Sequence, residues 1–302
     1  MARHVVFGAG PVGRQTAMEL LRRGEEVTVA SRSGQVNLEG VTVATIDAAD
    51  AEAVTRLVEG SVALYNAINP AKYHRWPTDW PPMAAALLTA AERTGATLVT
   101  ASNLYAYGPV SEPMREGMPD ASTDTKGVVR ATMWAEALAA HRAGRAHVVE
   151  VRSSDYVGAG AGGHIPRLVP AALAGKTARV LGSPDMPHTW TDVTDVARVM
   201  AHVAVTPATW GRVWHAPSNP ARTQRQALTD ICASVGRPAP KVASIPGPLL
   251  SVLSALSATM REVAAMRYQF DAPFVMDSSA ALNELGLAPT AWDEVCRRTA
   301  AG

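Results

Sequence analysis

Six residues near the start of the chain, Gly8-Ala9-Gly10-Pro11-Val12-Gly13, restrict what it can fold into more than any other stretch. They follow a short apolar run, residues 4–7, that reads as a strand. They open a segment that reads as a helix, with Pro11 in its first turn and Gly24 just past its end. A Gly-x-Gly-x-x-Gly run is informative in that strand, turn and helix setting. The first glycine permits a tight turn, the second lets backbone approach a pyrophosphate, and the third lets helix pack on strand. The helix N-terminus then offers free N–H groups to the phosphates. The plain alternative is a turn that happens to be rich in glycine. The spacing predicts a dinucleotide site on Gly8, Gly10, Pro11, Val12 and Gly13.

Apolar runs of strand length recur at 4–7, 26–30, 41–46, 62–65, 97–101 and 147–151, with helical patterns between them. Near-continuous apolar strands imply burial on both faces, as when crossover helices cover both sides of a parallel sheet. The expected fold class is therefore α/β, a Rossmann-type doubly wound parallel sheet with a smaller C-terminal α+β substrate domain. After about Ser153 the texture changes to short segments punctuated by Gly and Pro. We place a dinucleotide-binding domain at 1–155 and a substrate domain at 156–302, with some later segments returning to the first sheet. Helices are expected near 165–174, 193–205, 224–235 and 248–270, and strands near 178–181 and 212–215.

The end of the second strand separates the two nicotinamide cofactors, because a carboxylate there suits a 2′-hydroxyl and an arginine suits a 2′-phosphate. The sequence has Ser31-Arg32-Ser33 and no acid. Arg32 can pair with the phosphate and Ser31 can donate to it, which favours NADP over NAD; a solvated loop arginine is the competing reading. Asp47 and Asn66 end the third and fourth strands, where ligands of open α/β sheets bind, so adenine and ribose contacts are expected there. Asp47 also suits an N-cap.

The balance of 28 Lys+Arg against 27 Asp+Glu gives a net charge of +1, which offers no broad basic surface for nucleic acid. The two cysteines, Cys232 and Cys296, match no metal motif and no disulfide framework, consistent with a cytoplasmic location. No secretory signal is expected. The apolar stretch 245–260 is broken by Pro246 and Pro248 and falls short of the roughly 20 apolar residues that span a bilayer, so no membrane segment is expected. The histidines show no metal-binding spacing.

With these residues in view, the chain resembles the extended short-chain dehydrogenase/reductases of the NAD-dependent epimerase/dehydratase family. The glycine run, 99–108, 151–158 and 188–197 each resemble a family segment, in the family's order. The resemblance implies a Ser/Thr, Tyr, Lys catalytic set, with Tyr four residues before Lys. Lys126 fits the lysine and a nicotinamide-ribose contact, but Ser122 stands where the tyrosine should be. Four residues before Tyr107 lies Asn103, with Ser102 beside it, in place of the usual hydroxyl residue. The sequence is thus similar to atypical members. A serine is shorter and far less acidic than the phenol that exchanges a proton during hydride transfer. Tyr105, on the loop after the fifth strand, is the preferred substitute, with a packed aromatic as its alternative. Asp155 faces the expected cleft as a base or a loop cap, and His164, His188 and Trp190 approach from the second half. Trp76 and Trp80 are placed at the cleft rim, and Asp192 and Asp195 as caps of the helix from Val193.

Three functions remain open from the sequence. The leading one is an NADP(H)-dependent oxidoreductase acting on a small metabolite carbonyl or alcohol. The second is an epimerase, dehydratase or isomerase with transient hydride transfer, and the third a non-catalytic NADP(H)-binding regulator. Relatives dimerise through two helices, here roughly 78–93 and 125–143. The surface from Met83 to Leu88 suits a homodimer contact or packing on the sheet.

Overall fold

The computed structural model describes residues 1–302 apart from 71, 248–253 and 256. Seven parallel strands form the main sheet: β1 (Arg3–Phe7), β2 (Glu26–Ser31), β3 (Thr42–Thr45), β4 (Ala63–Asn66), β5 (Thr97–Asn103), β6 (Val148–Ser153) and, much later, a strand at Val213–His215. Their order is β3-β2-β1-β4-β5-β6 followed by the late strand, which pairs with β6 through Trp214 and Val151. A segment of the second half thus returns to the first sheet. The order reverses between β1 and β4, and that switch point is where an open α/β sheet leaves a crevice beyond its strand ends.

Each central strand is buried on both faces. Val5, Phe7, Leu64 and Leu98 meet helices α2 (Ala51–Val58), α3 (Trp76–Thr94) and α4 (Thr125–Arg142) on one side. Val6, Tyr65, Val99 and Val151 meet α1 (Pro11–Arg22) and a helix at Val193–Val203 on the other. Burying such side chains contributes roughly 1.5–3 kcal/mol each. Short polar residues start the helices: Asp50 accepts from Ala53 N, Asp124 from Lys126 N and Gly127 N, and Asp192 from Thr194 N. Asp192 is therefore the cap that was expected. Asp195 instead accepts from Thr290 N and Oγ1 and pairs with Arg198, tying the C-terminal segment to this helix.

The smaller C-terminal α+β part has its own core, in which Val157, Ile165, Val180, Trp190, Leu228 and Phe270 pack together. It contains the paired strands Asp155–Val157 and Trp190–Asp192, a second pair at Ala178–Val180 and Val242–Ser244, and helices α5 (His164–Leu173) and α7 (Gln224–Ser234), while α6 (Val193–Val203), between them in the chain, packs on the main sheet. Of the helix expected over 248–270, residues 248–253 and 256 lie outside the described residues; the described remainder includes the helices Ala258–Ala265 and Tyr268–Asp271, separated at 266–267. Cys232 and Cys296 are both buried free thiols of this core. Among the described residues, no helix is long and apolar enough to cross a membrane. None of their His, Cys, Asp and Glu side chains form a group of three or more that could hold a metal.

Candidate functional site

Beyond the carboxyl ends of β1, β2, β4 and β5 lies a cavity of about 1500 Å³ that runs from the glycine loop to the face of the C-terminal part. The loop is built to keep backbone close to that space. Gly8 has φ +108°, and a Cβ there would stand 2.5 Å from the carbonyl oxygen of Ala67 at the end of β4. A Cβ on Gly13 would overlap the Gly8 carbonyl, so helix and strand close together only because neither residue has a side chain. Gly10 is different: nothing lies within 4 Å of where its Cβ would be, and the residue lines the cavity. An uncluttered loop at the N-terminus of α1, with Pro11 at its start and Val12 on the cavity wall, fits a dinucleotide pyrophosphate.

At the outer end, Ser31, Arg32, Ser33 and Asp47 line the cavity. Ser31 Oγ accepts from Gly34 N at 3.1 Å, and Asp47 Oδ1 accepts from Ala49 N at 3.0 Å. Asp47 therefore caps a turn, while Asp50 caps α2. Arg14 donates to Asn37 O at 3.1 Å. Asn66 departs from the cofactor contact expected of it. It is buried, its Oδ1 accepts from Ile68 N, and the cavity wall at this strand end is made by Ala67, Ile68 and Asn69.

The inner end departs further from the sequence expectation. Lys126 is buried at the start of α4, and its Nζ lies 2.8 Å from Glu262 Oε2. Ser122, in the tyrosine's place, donates its hydroxyl to Asp124 at 2.8 Å. Neither Lys126 nor Ser122 is part of the cavity wall, whereas Ser102, Asn103 and Tyr105 are. Asn103 Oδ1 accepts from Tyr105 N, which fixes the turn that carries the tyrosine. The Tyr105 hydroxyl donates to Met266 Sδ at 3.7 Å, and its ring stacks on Trp76 at 6.3 Å. Burial, with the Asp155 carboxylate and the ionisable phenols of Tyr73 and Tyr268 nearby, raises its pKa well above that of an ordinary phenol. Tyr107 is excluded from the site: its hydroxyl is 2.8 Å from His215 Nε2, deep in the protein. Trp76 forms part of the wall, and Trp80 packs edge-on behind it.

Opposite Tyr105, Asp155 presents its carboxylate to the cavity and is held from behind by His188, Nε2 to Oδ2 2.8 Å. The imidazole is fixed between the rings of Trp190 and Phe270, at 4.3 and 4.8 Å, and its Nδ1 lies 3.2 Å from Gln269 O. Burial alone would raise the Asp155 carboxyl. The hydrogen bond and charge of His188, with the charges of His164 and Arg167, outweigh that and hold it below its ordinary value. Asp155 is thus an ionised carboxylate bonded to His188, which replaces the loop-capping role weighed for it. His164 also lines the cavity, bonded to Gln224 at 2.6 Å, and burial lowers its pKa.

Sequence reasoning missed Arg130, Tyr73 and Gln269, all on the cavity wall. Arg130 had a signal, since it stands one helical turn past Lys126 on α4. Tyr73 and Gln269 lie in irregular or short segments with no periodicity to mark them.

The sequence model of the NAD dependent epimerase/dehydratase family matches residues 5–214. No curated protein matches the chain. Among solved structures, UDP-N-acetylglucosamine 4-epimerase from Bacillus cereus superposes with a TM-score of 0.80 at 14% identity, covering 100% of this chain and 99% of that one. The dTDP-glucose 4,6-dehydratase from Bacillus anthracis, crystallised with NAD, gives 0.80 at 16% identity over 100% and 96%. The UDP-glucose 4-epimerase from Thermus thermophilus, also with NAD, gives 0.77 at 20% over 99% and 98%. At such identities the likeness establishes the fold.

Proposed function

The chain belongs to the NAD dependent epimerase/dehydratase family, and from that premise we propose that it is an enzyme of transient hydride transfer. It binds a nicotinamide dinucleotide and acts on an alcohol of a small polar substrate held in the same cleft. The observation that carries this reading is the single cavity that joins Gly10 and Arg32 at one end to Tyr105 and Asp155 at the other. The family and the solved neighbours favour reversible oxidation within each turnover over the net oxidoreductase expected first.

Gly8, Gly10 and the start of α1 would hold the pyrophosphate, and Asp47 the adenosine side. Arg32 would take a 2′-phosphate, so NADP is proposed over NAD even though the neighbours cited were crystallised with NAD. The bound nucleotide supplies a hydride acceptor and donor. Asp155, ionised and facing the cavity, accepts the substrate hydroxyl proton. Tyr105, whose phenol keeps its proton, donates a hydrogen bond to the same oxygen. The division of the chain into a nucleotide domain at 1–155 and a substrate domain at 156–302 is part of this proposal, since the cavity draws walls from both. So is a homodimer through the outer faces of α3 and α4, which light scattering of the purified protein tests.

Titration calorimetry with NADPH and NADH, on wild type and Arg32→Ala, tests the cofactor site. NADPH is expected to bind more tightly, and the variant to lose about 10- to 100-fold for NADPH with NADH unchanged. Incubation with a panel of nucleotide sugars and smaller hydroxy compounds then tests the chemistry. The expected result is epimerised or dehydrated product by NMR with no net absorbance change at the nicotinamide band. Stoichiometric reduction of the nucleotide would return the net oxidoreductase reading.

A further inference from the structure

Arg130 is 4% exposed, yet it forms part of the cavity wall. Its guanidinium carbon lies 4.9 Å from the centre of the Trp76 ring and 4.3 Å from that of Trp80. These contacts stabilise the charge through ring faces, but they give no acceptor to two of its three nitrogens. Nε and Nη1 are buried with no hydrogen-bond partner. Arg152 shows what a buried arginine here does when its site is complete. It is 1% exposed and gives Nε to Glu150 and both terminal nitrogens to Asp120, at 2.6–3.0 Å. Glu150 offsets some of the Arg130 charge, but its carboxylate is bonded to Arg152 and gives Arg130 no acceptor. Five donors on a guanidinium cannot be silenced by deprotonation. A buried one without acceptors costs free energy that a ligand can recover.

Ser102 Oγ is a second buried polar atom with no partner, on a residue that lines the same cavity. The guanidinium fork matches the two oxygens of a carboxylate or phosphate, and the indole of Trp76 beside it suits an apolar carbon skeleton. We propose that Arg130 is the receptor for an oxyanion group of the substrate, a carboxylate or a phosphate, with Ser102 as a second donor. The inference names the substrate class for the cleft and rests on reading that cleft as the substrate site. It leaves the hydroxyl under oxidation to Asp155 and Tyr105 and gives the substrate a fixed charged end.

The test uses protein saturated with NADP+, so that the Arg32 end is filled. Lactate and glycerol 3-phosphate are the anionic probes; lactamide and glycerol are their neutral counterparts. Binding is read by calorimetry and by tryptophan fluorescence, in wild type and Arg130→Met. One anion is expected to bind at least tenfold more tightly than its neutral counterpart, and which one does so separates carboxylate from phosphate. Arg130→Met is expected to lose that preference while NADP+ affinity stays within twofold. Equal binding of anions and neutral compounds by wild type, or an unchanged preference in Arg130→Met, overturns the proposal. If Arg130→Met does not fold, the wild-type comparison and Arg130→Lys, which keeps the charge and loses the fork, decide it. NADP+ binding without anion preference defeats this inference alone. An Arg130-dependent anion site in a protein that binds no nucleotide defeats the hydride-transfer reading instead.

Discussion

His188 Nε2 stands 2.8 Å from Asp155 Oδ2 while its Nδ1 stands 3.2 Å from the carbonyl oxygen of Gln269, so the imidazole lies between two acceptors. A neutral ring has one N–H and satisfies one of them. The hydrogen bond at Nε2 keeps the Asp155 carboxylate ionised and aimed at the cleft. Asp155→Asn replaces the charge with an amide of nearly the same shape. Turnover is expected to fall by about 10²–10⁴, the usual range for losing a general base. NADPH affinity should stay within twofold, because Asp155 lies at the far end of the cavity. Steady-state rates beside a nucleotide titration check this, and an active variant would remove Asp155 from the chemistry.

The buried pair of Lys126 and Glu262 predicts an asymmetry. Lys126 is enclosed, its side chain 7% exposed, whereas Glu262 keeps 26%. Glu262→Ala strands a buried ammonium and is expected to cost about 1–3 kcal/mol. Lys126→Met fills the same space with an apolar chain, and the carboxylate it leaves behind can rehydrate, so the cost should be smaller. Nucleotide binding should move the other way. Glu262→Ala frees the lysine and holds affinity at or above wild type, and Lys126→Met lowers it if the lysine turns to the ribose. Urea midpoints and titrations on both variants give the two orderings. A costlier Lys126→Met would sink the stability argument.

What the sequence made legible and what it hid follow from how far each signal reaches. The sheet strands were readable because burial on both faces leaves continuous apolar runs such as Val5-Val6-Phe7, and the glycine loop because turn, helix start and strand end are adjacent in the chain. Arg32 and Asp47 followed from their positions at strand ends. Asn66 sits at a strand end too, yet its side chain turns into the protein, and orientation at a single residue is not encoded in spacing. The inner cleft depends on contacts across long stretches of chain: Lys126 with Glu262, Tyr105 with Met266, His188 with Asp155. None has a periodic trace. The short strands Asp155–Val157 and Trp190–Asp192 were missed for the same reason, three residues being too few to show alternation.

Gly10 and Gly13 separate binding from folding. A methyl group at Gly13 would overlap the Gly8 carbonyl, so Gly13→Ala must push α1 away from β1 and is expected to destabilise by about 1–3 kcal/mol or more. A methyl group at Gly10 meets nothing within 4 Å. Gly10→Ala should leave stability within about 0.5 kcal/mol and still weaken nucleotide binding at least tenfold, because the methyl occupies the approach of the pyrophosphate. Thermal unfolding with and without NADPH reads both effects. A stable Gly10→Ala that binds as wild type does would show that the nucleotide does not pass over this loop.

His215 makes stability depend on pH in a definite direction. Burial lowers its pKa from 6.5 to about 4, and its ring is held neutral between the Asp277 carbonyl at Nδ1 and the Tyr107 hydroxyl at Nε2. The unfolded chain binds a proton at pH values where the folded one does not. The stabilisation is therefore fully present above about pH 6.5, falls as the pH drops toward 4, and stops changing below that. One such group gives about 1.4 kcal/mol per pH unit, or roughly 2 kcal/mol between pH 6.5 and 5. His4, His164 and His202 are lowered as well and add in the same sense. His215→Gln keeps partners for both neighbours and cannot take up the proton. Its urea midpoint at pH 7 should fall below that of wild type, but its loss between pH 7 and 5 should be shallower by up to one proton's worth. Parallel pH profiles for the two proteins would mean that His215 titrates in the folded state much as it does in the unfolded chain.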